Sequence, residues 1–270
     1  MPLLLLHLLR GLRRPLALLL LATSPLLALA QSGMRGLPLG GNEGRGDAVL
    51  PLYVASHPQA QATVILLPGG DAGIGRITDG EPGSGNFLVR SREMFREAGF
   101  NVVIAFRASD LTELNYRYRA GSIHRGELEK VVDFAAREFG KPVWLVGTSL
   151  GTVSGAAAAI ALGPRVAGLV LTASITHRVH GGVQNQDIGR IRVPVLVVHH
   201  LRDACWACVP DEARRMAIGF RSASVSKFVM VEGGSNPQGD PCQARHWHGF
   251  IGYEKETVKL ITDWMLKPQA

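Results

Sequence analysis

A serine between two glycines is the residue of this chain whose type and setting best suit covalent chemistry. Residues 147–151 read Gly-Thr-Ser-Leu-Gly, and they follow an apolar run with no intervening loop. A sharp turn between a strand and a helix lifts the hydroxyl of Ser149 above the sheet edge, where it can attack an electrophile. Residues 152–162 are mostly small, which predicts a closely packed helix whose N-terminal dipole favours developing negative charge.

A serine nucleophile needs a base to take its proton and an acid to orient that base, and both are found later in the chain. Asp203 lies just past the apolar run 193–199, and His248 lies in the segment His-Trp-His-Gly-Phe at 246–250. A carboxylate at the first position can accept the imidazole N–H and stabilise the imidazolium. We expect Gly249 to let the backbone turn so that the imidazole reaches the sheet edge.

Other residues of the same types compete for these roles. Asp187 precedes the strand and Asp211 falls in the expected first turn of a helix, so a capping or surface role suits both better than catalysis. We interpret His246 as a solvated neighbour of the base. His199 and His200 end a strand near the expected site, and we interpret both as structural or substrate-lining.

The order of serine, acid and histidine along the chain, each following a buried strand, resembles the α/β-hydrolase superfamily. The resemblance covers nearly all of the chain beyond residue 30. It implies acyl transfer, with Ser149 as nucleophile, His248 as general base and Asp203 as the residue that orients the base. It implies no organic cofactor and no metal ion.

The same resemblance explains a glycine-rich turn at 66–75, which reads LLPGGDAGIG. In this family the loop after that strand supplies half of the oxyanion hole, and the residue after the nucleophile supplies the other half. We therefore expect backbone N–H donors at Gly70 and Leu150, with Asp71 as the alternative to Gly70. The family often has His-Gly at this point, and this chain has Pro68 where the histidine would stand.

These residues need a sheet that brings them to one edge. Six continuous apolar runs predict strands buried on both faces, as parallel strands are. The runs lie at 62–67, 101–106, 142–147, 166–172, 193–199 and 227–231, and helical patterns lie at 86–98, 122–139, 152–162, 210–219 and 254–266. This alternation predicts one α/β domain over 49–270, an α/β-hydrolase-like, mostly parallel and doubly wound sheet without a large cap domain.

Three cysteines lie close to the expected acid and histidine. If those two residues meet at the sheet edge, a Cys205–Cys242 disulfide would join their loops, and a Cys208–Cys242 bond is the alternative. The three cysteines with His246 would also suit a zinc ion, and the C-x-x-C spacing alone suits a redox pair. A redox pair would open a helix after a first strand, whereas this C-x-x-C segment sits late in the chain. We favour the disulfide, because the acid loop and the histidine loop must come together if the triad forms.

The first 30 residues have the pattern of a cleavable signal peptide. Three arginines form a basic region, an apolar stretch follows, and Ala30 ends a small-x-small cleavage site. The apolar stretch is shorter than the roughly 20 residues of a spanning helix and is interrupted by Pro25. We therefore expect a periplasmic or secreted protein, with membrane contact only through an uncleaved leader. Residues 31–48, rich in glycine and polar groups, predict a flexible N-terminus.

Two other classes of function are disfavoured by the sequence. The net charge of +7 comes from basic residues spread along the chain, so the sequence does not predict a nucleic-acid site. Glycines 69, 73 and 75 resemble the cofactor loop of short-chain dehydrogenases, but no tyrosine here has a lysine four residues later, as that chemistry requires.

The expected substrate is a small acyl compound, preferably an ester, and no nucleotide cofactor is expected. Peptidase, thioesterase or lactonase activity would use the same triad, and a non-catalytic hydrolase-like binding protein is the alternative from another class.

Overall fold

The structure is a computed structural model, and it describes residues 32–40, 45–178 and 181–270. The predicted signal peptide at 1–30 lies outside the described residues. Among the helices of these three ranges, none is long and apolar enough to cross a membrane.

The centre of the molecule is an eight-stranded sheet in the order β1-β2-β6-β3-β7-β8-β9-β10. The strands are β1 (Gly33–Pro38), β2 (Val49–Ala55), β3 (Ala62–Leu67), β4 (Ile77–Thr78), β5 (Glu81–Pro82), β6 (Phe100–Ala105), β7 (Val143–Thr148), β8 (Gly168–Thr172), β9 (Val195–His200) and β10 (Ser226–Val231). Within the series β6-β3-β7-β8-β9-β10, every pair of neighbouring strands is parallel. Strand β2 is antiparallel to both of its neighbours. The short strands β4 and β5 form a separate hairpin. All six predicted strands are confirmed.

Helices cover both faces of the sheet. They are α1 (Phe87–Arg90), α2 (Arg92–Glu97), α3 (Tyr116–Ala120), α4 (Ser122–Phe139), α5 (Leu150–Leu162), α6 (Pro210–Ala217) and α7 (Glu254–Leu266). Buried residues of α4, α5 and α6 share one hydrophobic cluster with one sheet face, and those of α1, α2 and α7 share a second cluster with the other. The predicted doubly wound α/β class is therefore confirmed. The described part of the β8–β9 connection holds only short 3₁₀ turns, as expected for a fold without a large cap.

The structure corrects two expectations. Residues 33–38, within the stretch expected to be flexible, form β1, because their backbone groups pair with β2 whatever their side chains. The single helix expected over 86–98 is two helices that meet at Ser91, whose ψ of 6° departs from helical geometry.

The carboxyl ends of the parallel strands meet at one edge of the sheet, where open α/β sheets bind their ligands. The loop after β3, the turn after β7 and the loop after β9 all begin at this edge. These connections carry residues 68–75, Ser149 and Asp203. The loop between β10 and α7 carries the segment 246–250.

Candidate active site

Ser149 occupies a strained turn between β7 and α5. Its backbone angles are φ 51° and ψ −126°, a combination that non-glycine residues rarely adopt. Glycines make this turn sterically feasible, because a Cβ at Gly147 would lie 2.5 Å from the carbonyl oxygen of Gly151. A Cβ at Gly151 would lie 1.9 Å from the carbonyl oxygen of Leu67. The turn is thus the strained strand-turn-helix geometry that presents a nucleophile.

The loop after β3 passes directly beside the serine. A Cβ at Gly69 would lie 2.7 Å from the Cβ of Ser149, so only glycine permits this approach. The next residue, Gly70, has φ 58°. Within the described ranges, the backbone N–H groups of Gly70 and Asp71 have no backbone acceptor. Leu150 is the first residue of α5, so its N–H has no partner inside the helix.

Asp203 and His248 are hydrogen-bonded to each other. The Nδ1 of His248 lies 2.9 Å from Oδ2 of Asp203, and both residues are buried. A carboxylate can only accept, so Nδ1 carries the proton and Nε2 of the neutral ring is an acceptor. The other oxygen of Asp203 accepts the backbone N–H of Cys205 at 2.9 Å, which fixes the carboxylate plane.

Ser149 and His248 line one cavity of about 460 Å³ at the carboxyl edge of the sheet. Gly70, Asp71 and Leu150 also line it, so both alternatives for the first oxyanion donor border the same space. Among the described residues that line the cavity, none is a lysine or an arginine. The cavity therefore suits a neutral substrate better than one that carries a phosphate or carboxylate.

The competing acids and the competing histidine lie elsewhere. The side chain of Asp187 is 67% exposed and lies 3.8 Å from Arg190. Asp211 is an exposed acid in the first turn of α6, where its negative charge is stabilised by the positive end of the helix dipole. His246 is half-buried and does not line the cavity.

His199 and His200 do not line the cavity, so of the two roles expected for them the structural one applies. His199 is fully buried, and its Nε2 accepts the backbone N–H of Ser174 at 2.7 Å. Burial lowers the pKa of His199 to about 4. Nε2 of His200 donates to the carbonyl oxygen of Gly233 at 2.9 Å, which joins the end of β9 to the loop after β10.

Gly249 has a different role from the one expected. Its backbone is not left-handed, and it is Phe250 that has a positive φ of 58°. A Cβ at Gly249 would lie 1.9 Å from the carbonyl oxygen of Ala244. The glycine is needed because two backbone segments of the histidine loop approach each other closely at this point. The left-handed backbone geometry of the turn is supplied by Phe250.

The three cysteines gather beside the cavity. Cys205 and Cys242 form a disulfide with a Cα–Cα distance of 4.5 Å, which confirms the favoured pairing over Cys208–Cys242. One sulfur or nitrogen atom from each of Cys205, Cys208 and His248 lies within 4.8 Å of the others. A zinc site built on the three cysteines and His246 would need two thiols that are oxidised in this structure.

Cys208 lies beside the candidate catalytic histidine, a relationship that the sequence did not reveal. Its thiol is completely buried, and its sulfur lies within 4.8 Å of a ring nitrogen of His248. Burial raises the pKa of this thiol well above its usual range, so it is protonated and unreactive at neutral pH.

Aromatic residues at the cavity were also missed by the sequence analysis. Trp206, 61% exposed, and Tyr116 both line the cavity. The position of Trp206 between two cysteines, three residues after the acid, was the available signal. Tyr116 left no such signal, because a helix of five residues carries it to the cavity from a distant part of the chain.

No protein-family model matches the sequence, and no curated protein matches it either. Solved structures do resemble it. An α/β serine hydrolase without a lid from Xanthomonas campestris is 19% identical, with a TM-score of 0.56 over 86% of this chain and 95% of that chain. An esterase from Pyrococcus furiosus is 11% identical, with a TM-score of 0.63 over 88% and 92%. An α/β serine hydrolase homologue from Coxiella burnetii is 16% identical, with a TM-score of 0.58 over 87% and 96%. The chain therefore has the α/β-hydrolase fold.

Proposed function

We propose that this protein is an exported serine hydrolase that cleaves a small ester through Ser149, His248 and Asp203. The observation that supports it most is the strained serine at the head of α5, which shares one cavity with a histidine already held by a buried carboxylate. A plain glycine-rich turn would need neither the positive φ of Ser149 nor the oriented imidazole.

In the proposed reaction, Nε2 of His248 takes the proton from the Ser149 hydroxyl as its oxygen attacks the acyl carbonyl carbon. Asp203 accepts the Nδ1–H bond throughout and stabilises the imidazolium that forms. The C–O bond to the alcohol then breaks, and the imidazolium donates its proton to the leaving oxygen. Water attacks the acyl-enzyme with His248 again as base, which releases the acid and restores the serine.

The oxyanion of each tetrahedral intermediate would accept the backbone N–H of Leu150 and that of Gly70 or Asp71. Such donors are most effective where they are fixed before the reaction, because no reorganisation is then needed. Loss of one such donor typically lowers the rate by about 10²–10³.

An ester is proposed rather than a peptide because the described lining of the cavity has no lysine or arginine. It therefore has no cation to pair with the carboxylate terminus of a peptide. Similar solved structures are described as esterases and serine hydrolases, which agrees with this choice.

The test is a panel of acyl chain lengths offered as esters, thioesters and anilides to the wild type and to Ser149→Ala. We expect hydrolysis of short neutral esters by the wild type only, and labelling of Ser149 by a fluorophosphonate probe. Equal hydrolysis by both proteins would refute the assignment of the nucleophile. Faster turnover of thioesters or anilides would show that the proposed substrate class is wrong and would leave the assignment of the triad intact.

Export is supported by the leader pattern and by a disulfide, which persists in oxidising compartments. Expression of the full chain in a Gram-negative host tests it, with mass spectrometry of the periplasmic fraction. We expect a mature chain that begins at Gln31 and contains the Cys205–Cys242 bond. Recovery of only the full-length, reduced chain from the cytoplasm would contradict export.

A further inference from the structure

A second serine, histidine and carboxylate are joined by hydrogen bonds inside the molecule, apart from the candidate active site. Oγ of Ser154 lies 2.9 Å from Nε2 of His124, and Nδ1 of His124 lies 2.7 Å from Oε2 of Glu127. Because the carboxylate only accepts, Nδ1 carries the proton, and Nε2 accepts the hydroxyl hydrogen of Ser154. Burial lowers the pKa of His124, which agrees with a neutral ring.

This second set cannot receive a substrate. Ser154 lies within α5 and is fully buried, and His124 and Glu127 are also buried. The space beside Ser154 and His124 is a cavity of about 10 Å³, lined mostly by apolar side chains. That volume is about what one water molecule needs. The three residues must therefore have a role other than binding a substrate.

Their hydrogen bonds lead to the guanidinium group of Arg119, a residue that is 1% exposed. Nη1 of Arg119 donates to Oγ of Ser154 at 2.8 Å, so the hydrogen bonds run in one direction from the arginine to Glu127. Nε donates to the carbonyl oxygen of Leu114 at 3.0 Å. The remaining nitrogen, Nη2, donates to the carbonyl oxygens of Pro68 at 3.2 Å and Gly70 at 3.0 Å.

Those two carbonyls belong to the loop that borders Ser149. A trans peptide unit is planar, and its N–H points opposite to its C=O. Holding the carbonyl of Gly70 therefore fixes the direction of the Asp71 N–H, and holding that of Pro68 fixes the Gly69 N–H. The carbonyl of Gly69 accepts the N–H of Ala72 at 3.1 Å, which fixes the Gly70 N–H in the same way.

Burying a charged arginine is costly unless it is fully hydrogen-bonded. Burial lowers the pKa of Arg119 to about 9, a measure of how unfavourable this position is for the cation. A structural contact to loop carbonyls could be made by water or by a neutral side chain at less cost. A rigid planar fork with fixed donors is suited to holding two carbonyls in one geometry.

We propose that Arg119, held by Ser154, His124 and Glu127, is a positioning residue that fixes the oxyanion loop 68–71 before the substrate binds. The inference rests on the proposed function, because it assigns the loop a role in stabilising the oxyanion. The buried serine and histidine are thus not a second catalytic site but the support of the first.

The experiment compares Ser154→Ala and Arg119→Lys with Ser91→Ala. Ser91 is likewise buried, and its Oγ has no hydrogen-bond partner among the described residues, so it controls for the loss of a buried hydroxyl. We expect kcat for a short ester to fall about 10-fold in Ser154→Ala and about 100-fold in Arg119→Lys, with KM within about twofold, because the loop acts on the transition state. A boronic acid inhibitor that forms a tetrahedral anion on Ser149 should lose affinity by the same factors.

A structural role alone would lower thermal stability and leave kcat and the boronate affinity of the folded protein unchanged, and that result would overturn the proposal. So would a loss of kcat in Ser91→Ala equal to that in Ser154→Ala. Arg119→Lys keeps the charge, and Ser154→Ala keeps the arginine, so failure of one variant to fold leaves the other to decide.

Hydrogen exchange of the peptide segment 66–75 separates this proposal from the proposed function, because it requires no activity. We expect the amide of Ala72, whose N–H donates to the carbonyl oxygen of Gly69, to exchange at least 10-fold faster in Ser154→Ala than in the wild type. If the wild type hydrolyses no ester but exchange still rises, the arginine positions the loop and the proposed function is wrong. Unchanged exchange in both variants would overturn the positioning role.

Discussion

Cys242 is bonded to Cys205 and so joins the loop that carries His248 to the loop that carries Asp203. The two half-cystines both line the cavity that contains Ser149. The acid follows β9 and the histidine follows β10, and β9 and β10 are paired only as far as Val231. Beyond that residue, the disulfide restrains the distance between the two loops.

Removal of this bond should destabilise the fold and weaken the triad together. The bond closes a loop with a sequence separation of 37, for which the chain-entropy model gives about 4 kcal/mol. We expect Cys242→Ser to lower the free energy of unfolding by about 3–4 kcal/mol and to reduce kcat for a short ester, as measured by urea unfolding and initial rates.

Cys208→Ala is the matched control, because it removes a buried thiol and leaves the disulfide intact. We expect it to cost about 1 kcal/mol, as the loss of a small buried side chain does. A phosphine reductant should lower the melting temperature of this variant and of the wild type, but not that of Cys242→Ser. Equal stability of wild type and Cys242→Ser would mean that the bond does not restrain the loops.

Asp203→Asn should remove most of the activity without unfolding the protein. The amide oxygen of asparagine can still accept the N–H of Cys205, but its NH₂ group then faces Nδ1 of His248. That nitrogen becomes an acceptor, the proton moves to Nε2, and the ring can no longer take a proton from Ser149. We expect kcat to fall by about 10³–10⁴ with little change in KM.

Asp187→Asn is the control for that variant, since Asp187 is an exposed carboxylate that the sequence also offered as the acid. We expect its kcat to stay within about twofold of the wild type. A large loss in Asp187→Asn, or near-normal activity in Asp203→Asn, would show that the acid has been assigned incorrectly.

The parallel part of the sheet and the three residues at its edge could be predicted because each leaves a local signal. Strands buried on both faces are continuous apolar runs, and the strained turn at Ser149 requires glycine on either side. The expectation that an acid and a histidine follow later strands came from the resemblance to the α/β-hydrolase superfamily. The short segments after β9 and β10 then offered Asp203 and His248.

The rest depended on contacts between distant residues. β1 has no apolar alternation of its own and forms because β2 pairs with it. Arg119 reaches carbonyls about 50 positions earlier in the chain, and nothing around it in the sequence marks it as buried. Gly249 was noticed, but only the structure shows that it is required by its contact with Ala244.

Gly151→Ala should be severely destabilising although alanine favours helices. The added Cβ would lie 1.9 Å from the carbonyl oxygen of Leu67, a backbone atom that cannot move without shifting β3. We expect a loss of more than about 3 kcal/mol of unfolding free energy, or no folded protein. At Gly33, a Cβ meets no described atom within 4 Å, so Gly33→Ala should change stability by less than about 0.5 kcal/mol. Thermal unfolding of both variants measures the difference, and similar melting temperatures would contradict the close approach of α5 to β3.

His199 should make the protein sensitive to mild acid. Its Nε2 accepts the Ser174 N–H, so protonation there would place two donors against each other inside the core. The pKa of His199 falls from 6.5 in the unfolded chain to about 4 in the fold. Above pH 6.5 both states are neutral and the contribution to stability is complete. Between pH 6.5 and pH 4 only the unfolded chain takes up the proton, so this contribution is lost as the pH falls.

His199→Gln separates this effect from the titration of other groups. The glutamine oxygen can accept the Ser174 N–H but cannot take up a proton. At about 1.4 kcal/mol per pKa unit, the wild type should lose about 2 kcal/mol more than the variant between pH 7 and pH 4.5. Urea unfolding at the two pH values measures this difference. Parallel losses in the two proteins would mean that His199 binds its proton equally well in the folded and unfolded states, which a fixed acceptor bond to Ser174 does not allow.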